Sequence, residues 1–304
     1  MFDVICFGSA VVDVFVDTDV AEKKGFMSYP VGSKILINNV KFDVGGGGTN
    51  TAVAFSRFGL KTGYIGKIGD DSDGRIVLDL LKKERIKFLG KIGKKQVTGY
   101  SIILDSKENN RTILTYKGVN NDLHFDELNF RKIKTKWVYL TSLLGESFKT
   151  QKKLVDYLTR QDVKVAFNLS EYLIKKMNLG QILRLAEVLI LNKEEAQLLL
   201  KKNKVKNKDL LKSLCSLGPK IVVVTDKNKL TWAYDGKKKY FIKPHNIQVK
   251  ERTGAGDAFG AGFVAGLVVG KNIEESLKLG LQESESVLRY FGAKNNLIRR
   301  NLKK

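Results

Sequence analysis

Runs of β-branched and aliphatic residues alternate along this chain with segments of helical spacing, and that alternation limits the possible folds more than any other feature. The sharpest run is 221–225, Ile-Val-Val-Val-Thr, a near-continuous apolar strand of the kind buried on both faces of a parallel sheet. Further strands are expected over 63–68, 137–140, 163–167 and 188–191, and 4–7 with 11–16 reads as one strand that ends and restarts around Gly8. Helices are expected over 49–58, 74–84, 150–161, 180–186, 194–201, 208–217, 255–269, 273–281 and 283–290. Strands alternating with helices of this length imply βαβ units and an α/β fold with a mostly parallel sheet. Two stretches break the rule: 14–41, with a short strand at 35–37, and 97–118, with strands at 100–104 and 111–116. The last two flank the turn Ser106-Lys107-Glu108-Asn109-Asn110, a hairpin signal. Both stretches read as parts of one small accessory sheet, a lid. With three Pro and no Ser/Gly-rich linker, a single domain over 1–304 carrying this inserted lid fits better than two tandem domains.

Composition excludes several chemistries. A 43% hydrophobic share supports a real core. Two distant Cys (Cys6 and Cys215) exclude a disulfide scaffold and a four-thiolate zinc site, and two His (His124 and His245) exclude His-rich metal centres. What remains is chemistry by carboxylates, amides, hydroxyls and backbone groups. The net charge of +22 over 304 residues is the electrostatic footprint of a nucleic-acid binder. Yet 43 of the basic residues are Lys and only 11 are Arg, the residue of bidentate phosphate and base readout. The Lys are dispersed, as at 201–208 and 237–239. A Lys-rich surface around an enzyme with an anionic substrate is the competing reading. No targeting segment is apparent. The longest small-apolar stretch, 258–270, is too short to span a bilayer, so a cytoplasmic location is expected.

Three motifs carry candidate chemistry. The first is Gly45-Gly46-Gly47-Gly48-Thr49-Asn50, immediately before a helix. Four consecutive Gly cost backbone entropy, so they suit either a flexible turn or a rigid shelf that a ligand approaches closely. The second is Thr253-Gly254-Ala255-Gly256-Asp257. Its Gly would set successive free N–H groups at a helix start, where the macrodipole favours anions. Asp257 there is either a favourable first-turn charge or a base held beside a phosphate. The third is Asn192-Lys193-Glu194-Glu195 at a strand end. Asn192 and Glu195 can order waters around Mg²⁺ or form a capping box.

Taken together and in this order, the motifs resemble those of the ribokinase, or PfkB, family of carbohydrate and nucleoside kinases. Gly45 to Asn50 through Gly66-Lys67-Ile68-Gly69-Asp70-Asp71 and Gly74 is similar to the family's N-terminal signature, and Thr253 to Phe259 to its more specific C-terminal one. The resemblance runs from Val4 to about Gly292. It implies a three-layer α/β/α fold with a β-sheet lid and an ATP- and Mg²⁺-dependent kinase acting on a hydroxyl of a small sugar. A nucleoside acceptor is the alternative, and a nucleic-acid-binding module on a kinase-like scaffold is the distant one. The resemblance further implies that Asp257 is the general base and that Gly254, Ala255 and Gly256 form the anion hole. Asp13, Gly46, Gly47, Asn50 and Arg111 would contact the acceptor. Asn192, Thr225, Lys227, Gly254 and Gly256 would contact the nucleotide, and Asn192 with Glu195 would hold the metal through water. Two departures stand out. Lys227 and Leu230 occupy positions where the family often has Gly after the late strand ending at Thr225. Glu251 replaces the Asp of a monovalent-cation site, which leaves activation by such a cation open. Phe15, Phe42, Tyr100 and Tyr116 are expected near the lid, packing it or stacking on a nucleoside base, Cys6 and Trp137 in the core, and both His in structural or surface positions. An exposed lid edge would favour a homodimer.

Overall fold

Most of the apolar runs become neighbouring strands. The computed structural model describes residues 1–108, 110–201 and 207–303; Asn109 of the expected turn and 202–206 of the Lys-rich stretch lie outside the described residues. In chain order the elements begin with β1 (Phe2–Phe7), β2 (Val11–Asp17), β3 (Asn39–Gly45), α1 (Gly47–Arg57), β4 (Thr62–Ile65), β5 (Lys67–Gly69) and α2 (Ser72–Lys83). Then come β6 (Lys87–Phe88), β7 (Lys91–Gly93), β8 (Gly99–Asp105), β9 (Arg111–Tyr116), β10 (Thr135–Leu140), α3 (Gly145–Thr159) and β11 (Lys164–Asn168). They continue with α4 (Glu171–Lys176), α5 (Gly180–Leu185), β12 (Val188–Asn192), α6 (Lys193–Leu199), α7 (Asn207–Cys215) and β13 (Ile221–Thr225). The chain closes with β14 (Thr231–Tyr234), β15 (Lys239–Ile242), α8 (Ala255–Val268) and α9 (Ile273–Leu288).

Among the described residues the main sheet has the order β15-β14-β13-β12-β11-β10-β1-β4-β6. From β13 to β6 every pairing is parallel; β14 and β15 add an antiparallel hairpin at one edge. Each central strand is apolar on both faces because both are covered. Val188 and Ile190 of β12 join one core with residues of α1, α8 and α9, whereas Leu189 and Leu191 join the other with residues of α3, α5 and α7. Burying each such side chain is worth about 1.5–3 kcal/mol. The result is three layers, α/β/α. The chain order reverses at β1, which pairs with β4 on one side and β10 on the other. Ligands of open α/β sheets bind beyond the strand C-termini at such a reversal.

A second sheet, β3-β2-β8-β9, stands apart from the first. Its strands come from the two stretches without intervening helices. The expected single strand broken at Gly8 is therefore two strands in different sheets. The expected strand at 35–37 does not form. Ile35, Leu36 and Ile37 are exposed and irregular, and the partner of β2 starts at Asn39, in the register Asp17↔Asn39 to Val11↔Gly45. That register is fixed at its far end, since a Cβ on Gly45 would lie 1.9 Å from Asp13 Oδ2. The hairpin β14–β15 carried no signal beyond its Asp-Gly turn, and the two helices expected over 273–290 are one, α9.

Helices α8 and α9 meet along small residues. A Cβ on Gly262 would fall 2.8 Å from Leu279 O, and one on Gly280 equally close to Phe259 O. This close approach encloses Glu283 of α9, which is fully buried. Its Oε2 accepts from Ile298 N at 2.9 Å, and Oε1 has no hydrogen-bond partner among the described residues. Burial pushes this carboxyl up to about 8, against lowering by the Ile298 N–H hydrogen bond and then by the charge of Arg57. The folded state therefore holds a proton that the unfolded chain releases at its ordinary carboxylate value. Stability falls as pH rises between those two values, by at most about 5 kcal/mol from this group. Thermal unfolding should show Tm dropping between pH 5.5 and 8.5 more steeply in the wild type than in Glu283→Gln. Parallel curves would contradict this account of Glu283.

Candidate active site

The C-terminal ends of β11, β12 and β13 and the start of α8 enclose a cavity of about 240 Å³. Asn168, Asn192, Glu195, Thr225, Gly256 and Asp257 supply its polar wall. A larger, open cavity of about 420 Å³ lies between the 246–250 segment and Arg289–Tyr290 and holds none of the expected catalytic side chains.

The turn into α8 requires glycine at its cap. Gly254 caps the helix with φ 80°, a left-handed conformation, and a Cβ there would meet Ala293 Cβ at 2.4 Å. The N–H groups of Gly254, Gly256 and Asp257 have no hydrogen-bond acceptor among the described residues; Ala255 N makes a long 3.3 Å bond to Arg252 O. Open donors at a helix N-terminus, with nothing within 4 Å of a Cβ on Gly256, form a place for an anion.

Asp257 borders that place. Its Oδ2 accepts from Asn50 Nδ2 at 2.9 Å, joining residues 207 positions apart. Burial pushes its carboxyl above the usual carboxylate range; the Asn50 hydrogen bond and the charge of Lys294 act in the opposite direction. Tyr139 lies beneath, fully buried, and Gly260 is small where a Cβ would fall 2.2 Å from the Tyr139 Oη.

The glycine run has distinct reasons at successive positions. Gly45 leaves room for Asp13. Gly46 adopts φ 98°, where a Cβ would also strike Ser9 O at 2.5 Å. Gly48 approaches the backbone of Gly8, and Gly48 N and Thr49 N donate to Ser9 O at 3.0 and 3.3 Å. The run is a rigid seam between β1 and α1, and it delivers Asn50 to Asp257. Asp13, on β2, stands opposite Asp43 in the cross-strand register. Burial raises its carboxyl, while Ser101 and Lys294 lower it and Asp43 and Glu251 raise it further.

The other expected residues fall as follows. Asn192 and Glu195 form a reciprocal capping box, with Asn192 N to Glu195 Oε2 and Glu195 N to Asn192 Oδ1 both at 2.8 Å. Both also line the cavity. One amide and one carboxylate suit a hydrated Mg²⁺, which keeps several waters, rather than a directly chelated ion. Among the described residues no group of three His, Cys, Asp or Glu could hold a metal. Thr225 pairs with Asn192 across β12 and β13 and lines the cavity. Lys227 adopts φ 47°, the left-handed conformation suited to Gly, and its ammonium meets Glu194 Oε1 at 2.8 Å, away from the cavity. The Arg111 guanidinium, on β9, reaches Glu251 Oε1 at 2.6 Å and Thr253 Oγ1 at 3.2 Å. The other Glu251 oxygen accepts from Gly292 N at 2.7 Å. Cys6 is buried, with its thiol pushed up to about 12, and Trp137 is in the core. His124 and His245 are exposed and sit beside Asp122 and Glu285. Phe15 packs edge-on against Phe291 at 4.6 Å, Tyr100 against Tyr116 at 5.6 Å, and Phe42 is exposed.

Two residues in the site went unassigned from the sequence. Asn168 ends β11 just as Asn192 ends β12, and a polar residue closing an apolar strand is a readable signal. Lys294 is buried, and its Nζ donates to Asn50 Oδ1 at 2.6 Å and to Val44 O. Nothing in the sequence separates it from the other Lys.

Comparison with known proteins agrees with this architecture. The model of the pfkB family carbohydrate kinases matches residues 1–299. The chain is 29% identical over 252 residues to an uncharacterized sugar kinase of Archaeoglobus fulgidus, covering 81% of this chain and 99% of that protein. A ribokinase from Thermotoga maritima superposes with a TM-score of 0.84 at 20% identity, over 99% of this chain and 97% of its own. An Escherichia coli protein solved in complex with ATP and Mg²⁺ superposes with a TM-score of 0.83 at 16% identity, over 98% and 96%. Among the described residues no helix is long and apolar enough to cross a membrane.

Proposed function

The chain belongs to the pfkB family of carbohydrate kinases, and on that premise we propose that it transfers the γ-phosphoryl group of ATP to a hydroxyl of a small sugar. The observation that carries this reading is the 2.9 Å bond between Asn50 and Asp257 beside the open N–H groups of the α8 turn. A base and an anion site lie within one helical turn of each other.

The roles follow from the geometry. Asp257 accepts the proton of the acceptor hydroxyl as its oxygen attacks the γ-phosphorus and ADP leaves; the proton passes to solvent when product departs. A positioned base of this kind contributes about 10²–10⁴-fold. The N–H groups of Gly254 and Gly256 stabilise charge on the transferring group with dipoles that need no reorganisation. Asp13 and Asn50 orient the acceptor's hydroxyls, Gly46 and Gly47 shape its floor, and Asn192 and Thr225 face the nucleotide. Asn192 and Glu195 would hold Mg²⁺ through water, and the ion would supply charge neutralisation for phosphate oxygens. The fold neighbour solved with ATP and Mg²⁺ supports this pair of ligands. The smaller sheet covers the acceptor as a lid on a single domain, and Arg111 ties β9 of that lid to Glu251 beside the anion site.

A panel of neutral sugars, sugar phosphates, sugar acids and nucleosides, assayed for ADP release with MgATP, tests the reading. Turnover is expected on one sugar class, and no turnover on any member would overturn it.

The lid also has an exposed apolar face. Phe42, Val14, Ile102 and Leu114 form one row across its four strands, and Phe42 and Leu114 are 67% and 53% exposed. We propose that a second copy covers this row. Gel filtration at low micromolar concentration should give a dimer, and Leu114→Lys a monomer; a wild-type monomer would contradict the proposal.

A further inference from the structure

We propose that Lys294 is a positioning residue for the transfer step: its ammonium fixes the Asn50 amide and, through it, the Asp257 carboxylate. The inference rests on the kinase reading above and adds a residue to it.

Lys294 is 3% exposed, which a Lys side chain tolerates only when its charge is compensated. Its Nζ donates to Asn50 Oδ1 at 2.6 Å and to Val44 O. Asn50 in turn donates from Nδ2 to Asp257 Oδ2 at 2.9 Å. An amide carries one acceptor and one donor end, and a lone Asn could present either to a carboxylate or to a substrate hydroxyl. Here the ammonium claims the oxygen, so the NH₂ must face Asp257. The orientation of Asn50 is thereby set by a cation that cannot accept a hydrogen bond.

The same ammonium supplies the charge that a buried base needs. The titratable groups facing Asp257 are Cys6 on β1, Tyr139 on β10 and Tyr172 on α4, all raised by burial and therefore neutral in the working range, together with Lys294. The positive charge acting on Asp257 thus comes from Lys294. Burial lowers the Lys294 ammonium from its ordinary value; against that, Asp43 on β3, Asp13 on β2 and Asp257 favour its charged form, with Arg57 opposing. Arg57 is occupied by Glu84 at 2.7 Å and by Lys294 O at 2.6 Å.

Placement makes the link mechanical as well. The segment carrying Lys294 includes Ala293, which lies against Gly254 at the α8 cap. One ammonium therefore joins the root of β3 at Val44, the first turn of α1 at Asn50 and the segment that supports the anion site. Through the reaction Lys294 keeps its proton; the hydroxyl proton goes to Asp257.

The decisive variants are Lys294→Gln, which keeps a donor and removes the charge, and Lys294→Arg, which keeps both. The measurement is titration of the Asp257 carboxyl by ¹³C NMR in the ligand-free protein, assigned with Asp257→Asn, alongside the pH profile of kcat/KM and Tm. Lys294→Gln should move the carboxyl titration and the acid limb of the profile upward by about one pH unit, a tenfold change in ionisation, with Tm little altered. Lys294→Arg should restore both. The same titration in wild type and Lys294→Gln would overturn the proposal. Should Lys294→Gln not fold, Lys294→Met, of similar length and apolar, removes the ammonium while the Asn50–Asp257 bond stays. An upward titration there supports the proposal, and an unchanged one overturns it. Because the titration needs no substrate, a protein without turnover would count against the kinase reading alone.

Discussion

Asp257→Asn should lower kcat by about 10²–10⁴-fold and leave Tm equal to or above that of the wild type. The loss follows from the position of Asp257 at the cavity wall beside the open N–H groups of the α8 turn, where the proposed function makes its carboxylate the proton acceptor. The unchanged or raised stability follows from its surroundings. Burial raises the Asp257 carboxyl above its ordinary range, so its ionised form is held at a cost that the neutral amide avoids. An Asn of the same shape still offers an oxygen to Asn50 Nδ2. Activity and stability thus move in different directions, which sets a functional site apart from a structural one. Steady-state kinetics and thermal unfolding on the same preparation check both halves. A large Tm loss would make Asp257 structural.

Gly254→Ala should have the next largest effect, about 10²–10³-fold in kcat. A side chain at φ 80° costs about 1–2 kcal/mol, and its Cβ would meet Ala293 Cβ at 2.4 Å and Cα at 2.8 Å. The α8 turn must shift, carrying the N–H groups away from the phosphoryl group. A lower Tm should accompany the loss. Gly256→Ala provides the contrast, because its Cβ meets nothing within 4 Å and projects into open space. It should preserve Tm and still lose activity by obstructing the anion. Equal activity in Gly256→Ala and wild type would mean that no anion sits there.

The residues differ in how much of this could be read in advance. The parallel core was legible because its strands are apolar on both faces, as at 188–191 and 221–225, and such runs have few alternatives. The α8 turn was legible as a helix start because Gly254-Ala255-Gly256 precedes a run of small residues, while Asp257 suited a first-turn charge as well as a base. A strand was expected at 35–37 because Ile35-Leu36-Ile37 has strand composition, whereas the strand that forms, β3, depends on Asp13 fitting against Gly45, a contact across the sheet. The reciprocal bonds of Asn192 and Glu195 matched the capping-box alternative, since cap and metal ligand share one spacing. Lys294 was invisible because its significance arises from burial, and a chain with 43 Lys gives no hint of which one is enclosed. The +22 charge pointed toward nucleic acid, yet the candidate anion site consists of backbone groups without formal charge.

The most direct test of the central claim is the rate of ADP formation from MgATP with and without the preferred sugar, in wild type and in Asp257→Asn. The account predicts sugar-dependent ADP formation in the wild type and its loss by at least about 10²-fold in the variant. Sugar-independent ADP formation, or equal rates in the two proteins, would contradict it.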